Sequence, residues 1–306
     1  MLRSLVFVLA LMLSTTGAWA DRYSDCNQSA DPDRQIRGCT QIIERGKRES
    51  RKNRSFAYNN RGMAYDDRGQ YDLAIADYDK ALAIDSNYAE AYSNRGVSYK
   101  NKVDFDPALA DFGRAIALNP KYANAYYNRG LTYTAKGEVD LAIADYDEAI
   151  KLNPNYVIAY SNRGNAYLGK SQYDRAIADY SKAIENDPKN AYSYNLRGLV
   201  SRLKGEIDPA IADFDQAIEL NPKYANAYYN RARAYSERNQ YDRVIADLDK
   251  AIALDPNNDG AYNNRGAAYQ DKGDQESAIA NYREALKINP ANEDAKLNLK
   301  RLGVTP

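Results

Sequence analysis

From Ser55 to Asn292 the apolar and polar positions follow a helical rhythm that restarts every 34 residues, without insertion or deletion. The string Tyr-x-Asn-Arg-Gly starts at Tyr58 and returns, with small changes, from Tyr92, Tyr126, Tyr160, Tyr194, Tyr228 and Tyr262. Numbering each of the seven copies 1 to 34 from Ser55, positions 4, 8 and 11 share one stripe of a first helix. Positions 20, 21, 24, 27 and 28 share one stripe of a second. Each copy therefore predicts a helical hairpin turning near position 15, and a fixed period of this length predicts a stacked array. Pro120, Pro154, Pro188, Pro222, Pro256 and Pro290 close the second helices. Asp106 before Pro107 and Asp208 before Pro209 predict an N-cap followed by a first-turn proline.

Position by position the copies carry Tyr at 4, Arg at 7, Gly at 8, Tyr at 11, Ala at 20, an aromatic at 24, Ala at 27 and Pro at 32. This pattern resembles the tetratricopeptide repeat over 238 of the 306 residues. The resemblance implies an all-α fold, a right-handed α-solenoid of helix-turn-helix repeats whose superhelix has a concave groove for an extended peptide. Positions 2, 5, 6, 9, 12 and 13 lie opposite the buried stripe of the first helix and would line that groove. Position 6 is Asn60, Asn94, Asn128, Asn162, Asn230 and Asn264, with Asn298 in register beyond the last copy. An amide offers donor and acceptor together, which matches an extended main chain, although Asn at this position also belongs to the ordinary repeat pattern. In copy five Tyr192, Leu196, Leu199 and Leu203 form an apolar stripe on the same side, and Tyr127, Leu131, Ile158 and Tyr229 add apolar groove positions. Thirteen of these are the predicted binding residues; Asn298, which lies beyond the last copy, and Leu203, which only extends the stripe, are not among them.

Arg at position 7 is present in every copy where the usual pattern has Leu, and position 23 is Asp in six copies. The two stand level across the turn, so Arg61 with Asp77 and Arg129 with Asp145 predict a structural ion-pair ladder. Gly at position 8 predicts a close helix approach, with the small Ala at 20 as the opposite wall. Copy six departs most, with Ala232 for Gly, Val244 for Ala and Leu248 for the aromatic. Local repacking is expected there, not a site. Asp255 to Gly260 imitates the opening of a calcium loop, but Gly266 stands where such a loop needs a bidentate Glu.

The ends are specialised. Residues 1–20 run from Arg3 through an apolar stretch to Ala18-Trp19-Ala20, the order of a secretory signal peptide cleaved after Ala20. No later stretch is apolar enough to cross a membrane once it is removed. Export makes Cys26 and Cys39 a predicted disulfide. Residues 21–54 form an N-terminal cap, 55–292 the seven repeats, and 293–306 a polar C-terminal capping helix and tail, since terminal repeats must cover an exposed apolar stripe.

Composition narrows the function. There is no His, so His-based triads, His-containing zinc sites and an imidazole switch are excluded. Lys+Arg and Asp+Glu are both 42, which leaves no basic excess for nucleic acid. No catalytic residue, metal site or cofactor motif is nominated. The 28 Tyr fall chiefly at positions 4, 11, 17 and 24, as packing residues. The sequence thus predicts a non-enzymatic scaffold, periplasmic or secreted, that holds a protein or extended peptide segment; self-association stays open. The alternatives are an enzyme acting on glycans through carboxylates, an assembly or chaperone-like factor for envelope complexes, and a structural spacer.

Overall fold

The computed structural model describes residues 22–27 and 30–305; the expected signal peptide lies outside them. Every regular element among the described residues is helical. The chain divides into two compact units, one ending at Pro154 and one starting at Asn155. In the first unit the elements are α1 (Pro32–Glu44), a 3-10 turn (Gly46–Arg48), α2 (Arg51–Asp67), α3 (Tyr71–Ile84), α4 (Ala89–Asn101), α5 (Phe105–Leu118), α6 (Ala123–Lys136) and α7 (Val139–Leu152). The second unit contains α8 (Val157–Gly169), α9 (Tyr173–Asn186), α10 (Ala191–Leu203), α11 (Ile207–Leu220), α12 (Ala225–Glu237), α13 (Tyr241–Leu254), α14 (Asp259–Asp271), α15 (Gln275–Ile288) and α16 (Glu293–Arg301). Within each unit consecutive helices pack as pairs, and each pair packs on the next.

Position 15 supplies the turn inside every pair. Gly69, Val103, Gly137, Ser171, Gly205, Asn239 and Gly273 all have positive φ, the left-handed conformation that ends a helix. Val103 adopts it at φ 64°, where a β-branched side chain is strained. The second helices start two residues earlier than the proline signals suggest. Asp104 is the N-cap of α5 and Glu206 that of α11, so Asp106 and Asp208 sit inside the first turn and cap nothing. They form ion pairs with the following repeat instead, Asp106 with Lys136 and Asp208 with Arg238. The prolines need no N–H in that turn, where helical partners are lacking anyway.

Gly at position 8 is required by the ring at position 24. A Cβ on Gly198 would stand 2.8 Å from the Phe214 ring and 3.0 Å from the Ala210 carbonyl, so ring and position-20 backbone together form the opposite wall. Arg at position 7 grips position 23 of its own repeat through two N–H groups, as in Arg61–Asp77, Arg95–Asp111 and Arg129–Asp145, all within 2.6–2.9 Å. Its third arm reaches back one repeat, from Arg95 to Asp79, Arg197 to Ser181, Arg231 to Asp215 and Arg265 to Asp249. The same guanidinium lies over the position-4 tyrosine, with 5.5 Å between Arg95 and the Tyr92 ring centre. Most tyrosines are thus accounted for by packing.

At the amino end a helical turn at residues 22–27 is tied to α1 by the Cys26–Cys39 disulfide. Both sulfurs are buried with Ile42 and Ala57. A 13-residue separation gives a stabilisation of about 3 kcal/mol in the chain-entropy account. Gln35 and Thr40 of α1 bond to the Asn60 carbonyl and the Arg61 guanidinium. At the other end α16 covers Ala278, Tyr282 and Ala285 with Ala295 and Leu299. None of the described helices is long and apolar enough to cross a membrane.

Candidate functional site

The face of the first helices carries the residues that the sequence nominates, and their surroundings sort them into three groups. Position-6 amides lie in the seam between neighbouring first helices. Asn94 Nδ2 donates to Asn59 Oδ1 at 3.0 Å, and Asn230 Nδ2 to Asn195 Oδ1 at 3.0 Å. Asn264 Nδ2 donates to the Tyr229 hydroxyl at 3.1 Å, and Asn298 Nδ2 to Asn263 Oδ1 at 3.2 Å. Asn60 continues the pattern onto the amino-terminal turn by donating to the Cys26 carbonyl. Each of these amides therefore stitches one repeat to the preceding element at position 5 or its equivalent. Asn60 and Asn230 are buried, whereas Asn94, Asn128, Asn162 and Asn264 are half-buried and keep an edge at the surface.

The apolar stripe of copy five divides. Tyr192 and Leu203 are 49% and 43% exposed, Leu199 is half-buried, and Ile158 on the preceding first helix is 56% exposed. Leu196 is a correction to the predicted groove: it is buried, packed with Ala176, Tyr180 and Val200. The reason is the seam itself. Position 6 faces the neighbouring repeat, so an apolar side chain there meets the Tyr180 ring. Leu196→Ser should therefore lower stability by about 2 kcal/mol in urea melts followed by circular dichroism. An unchanged midpoint would return Leu196 to the groove. Among the other nominated residues, Tyr127 and Leu131 are half-buried, with the Tyr127 ring 6.0 Å from Tyr146. The Tyr229 ring lies 5.9 Å from the Arg233 guanidinium.

Position 12, placed on the groove side by the sequence but with no residue nominated, has a role of its own. Where position 24 is Tyr, its hydroxyl needs a partner near the surface: Tyr78 donates to Asp66, Tyr146 shares a hydrogen bond with Thr134, and Tyr282 donates to Gln270, all at position 12. Tyr180 uses Asn165 at position 9. Asp66 also accepts from Ser98 of the next repeat, yet burial outweighs both bonds and raises its carboxyl above the ordinary range. Where position 24 is Phe112, Phe214 or Leu248, position 12 is Lys100, Arg202 or Ser236.

Repeat six opens a pocket of about 220 Å3 on this face. Its floor is Ala232, Val244 and Leu248, and Arg202, Glu237 and Asn264 stand among its walls. Leu248 is smaller than the ring found at position 24 elsewhere, while Ala232 and Val244 are larger than the usual Gly and Ala. All three pack in one buried cluster, in keeping with the expected local repacking. Arg202, 8% exposed, gives Nη1 to Glu237 at 2.6 Å, while its buried Nε finds no partner among the described residues.

The profile of the TPR repeat matches residues 62–103, 104–137, 130–171, 200–237 and 232–273, and that of the tetratricopeptide repeat matches 157–190 and 260–292. The chain belongs to the tetratricopeptide repeat family. No protein with a curated description matches it. Among solved structures, YrrB, described as a TPR protein with an unusual peptide-binding site, is 26% identical and aligns with a TM-score of 0.52 over 62% of this chain and 97% of its own. The C-terminal part of a TPR repeat-containing protein from Cytophaga hutchinsonii is 21% identical, with a TM-score of 0.63 over 78% of this chain and 98% of its own. PilW, described as a widely conserved type IV pilus biogenesis factor, is 18% identical, with a TM-score of 0.61 over 69% and 98%. The latter two share the fold with this tetratricopeptide repeat chain. A tetratricopeptide repeat array is a scaffold suited to binding proteins, and here the first-helix face is where its side chains differ most from copy to copy.

Proposed function

We propose that the protein is a non-enzymatic scaffold, working in the periplasm or outside the cell, that holds an extended peptide segment along its first helices. One observation carries this reading: Ile158, Tyr192 and Leu203 stay exposed beside half-buried Leu199 and Asn162, on α8 and α10 of one unit. Apolar side chains give a segment grip, and amide edges suit its main chain. The peptide-binding site ascribed to YrrB supports the same use of the fold. The disulfide supports an oxidising compartment. Carboxylate-based glycan cleavage would need two available acids facing a cleft, whereas Glu237 in the pocket of repeat six is held by Arg202, and Asp208 and Asp215, which line a second recess, are held by Arg238 and Arg231.

The test is an immobilised array of random twelve-residue peptides probed with the purified protein and with Ile158→Ser/Tyr192→Ser. Both side chains are exposed, so the variant should melt with the wild type. Capture of the peptides bound by the wild type should fall about tenfold. Equal capture by both proteins would remove this face from consideration.

A further inference from the structure

The amino-terminal cap concentrates positive charge in a chain whose acidic and basic side chains are equal in number. From residue 45 to residue 54 there are six cations, Arg45, Lys47, Arg48, Arg51, Lys52 and Arg54, and one acid, Glu49. Glu49 is buried and already engaged: it accepts from the Tyr23 hydroxyl and the Asn53 side-chain amide, each at 2.6 Å, and pairs with Arg45 at 3.3 Å. Lys47, Arg48, Arg51 and Lys52 are exposed, and Lys47, Arg48 and Lys52 form no ion pair among the described residues. The 3-10 turn and the start of α2 hold this segment within about 20 Å, roughly two Debye lengths, so the fields of its cations add. Arg51, Lys52 and Arg54 also stand at the positive end of the α2 dipole, where cations are unfavourable. Among the described helices α2 alone has a cation and no acid in its first four residues. Where α1, α9, α13 and α16 carry a cation there, Asp33, Asp174, Asp242 or Asp294 accompanies it. A negatively charged surface would offset both the mutual repulsion and the dipole.

We infer that residues 45–54 dock the protein, reversibly and by charge, on a bilayer surface rich in anionic phospholipid. Each Lys or Arg close to such a surface strengthens adsorption about fivefold. The segment holds no apolar side chain and no aromatic ring, so it inserts nothing into the bilayer and offers bases nothing to stack on. The bond from Tyr23 to Glu49 lays the amino-terminal turn, residues 22–27, against the same segment. The end of the fold that follows the expected cleavage site is therefore the cationic one, the end nearest a membrane just crossed. The choice of lipid over nucleic acid rests on the compartment proposed above; the local surplus of charge does not.

The purified chain from Asp21 onward, which holds every described helix, is sedimented with vesicles of phosphatidylcholine alone or mixed with an equal part of phosphatidylglycerol. It should bind the mixed vesicles only, and leave them in about 1 M salt, where the Debye length is about 3 Å. Lys47→Gln/Arg48→Gln/Lys52→Gln should bind about a hundredfold more weakly and melt no lower than the wild type. Arg51 is kept because it donates to the Ile84 carbonyl at 2.7 Å. Lys121→Gln/Lys189→Gln/Lys223→Gln removes the same charge from exposed turns between repeats and should bind as the wild type does. Equal binding to both kinds of vesicle, or equal losses in the two variants, would overturn the proposal. So would tighter binding to a random-sequence DNA duplex than to the mixed vesicles at the same salt. The peptide array reads other residues: a protein that captures no peptide and still binds the mixed vesicles keeps this inference and loses the peptide reading.

Discussion

Arg95→Ala should destabilise the amino-terminal unit by about 3 kcal/mol, read as a lower urea midpoint at unchanged slope. Arg95 holds Asp111 through two N–H groups, and the Asp111 side chain is 8% exposed. Removing the cation leaves an acid that water reaches poorly, and burial already raises that carboxyl above its ordinary range. The third arm, to Asp79, contributes little because Asp79 is half exposed. Since Arg95 is itself one-fifth exposed, the loss belongs at the lower end of what breaking a buried pair costs. The cause is separable from lost side-chain volume: Arg95→Leu with Asp111→Leu puts apolar groups at both positions, as the usual repeat has at position 7, and should recover most of the stability. If single and double variants melt alike, the pair is not what stabilises the repeat.

Gly198→Val should have an effect of similar size, about 3 kcal/mol on the second unit. A Cβ at Gly198 would stand 2.8 Å from the Phe214 ring and 3.0 Å from a backbone carbonyl, and the ring is fully buried and without room to rotate away. Helix propensity alone argues the opposite, since replacing Gly by a larger residue in a helix interior gains up to about 1 kcal/mol. The sign of the measured change therefore decides between packing and propensity. Repeat six shows the natural solution: Ala232 stands opposite Leu248. Gly198→Ala combined with Phe214→Leu copies that solution and should be less destabilised than Gly198→Ala alone.

How far the molecule was legible in its sequence depended on whether a feature repeats. Gly at 8, Arg at 7 with Asp at 23, and the turn at 15 recur at one spacing, and recurrence restricts each to a role that every copy can satisfy. Leu196 shows where this reasoning stops. A helical wheel gives the angle of a residue about its own axis, but position 6 lies where one first helix meets the next, and the distance to that neighbour decides between groove and seam. The same holds for the Asn ladder, whose bonds to Asn59, Asn195, Tyr229 and Asn263 cross from repeat to repeat and are not readable from the angle about one helix. At Asp106 and Asp208 the proline signal was real but displaced, since a proline is tolerated throughout the first turn and not only at its first residue. The substitutions in repeat six were visible from the start. What could not be read was the recess beside them, because its walls include Arg202 and Asn264 from the two neighbouring repeats.

The back-reaching arm of Arg at position 7 makes the array unequal at its two ends. Of the contacts made by this arm, a repeat that loses the one after it forfeits a surface contact of its position-25 side chain, such as the half-exposed Asp215 or Asp249. Losing the one before strands a largely covered guanidinium arm. Fraying thus has a polarity, easier from the carboxy-terminal side of each unit than from the amino-terminal side. Repeat one, with no predecessor, escapes the penalty because Thr40 of α1 accepts from Arg61 at 2.9 Å. The disulfide-tied cap therefore acts as a permanent preceding neighbour, and the short α16 suffices where the chain closes.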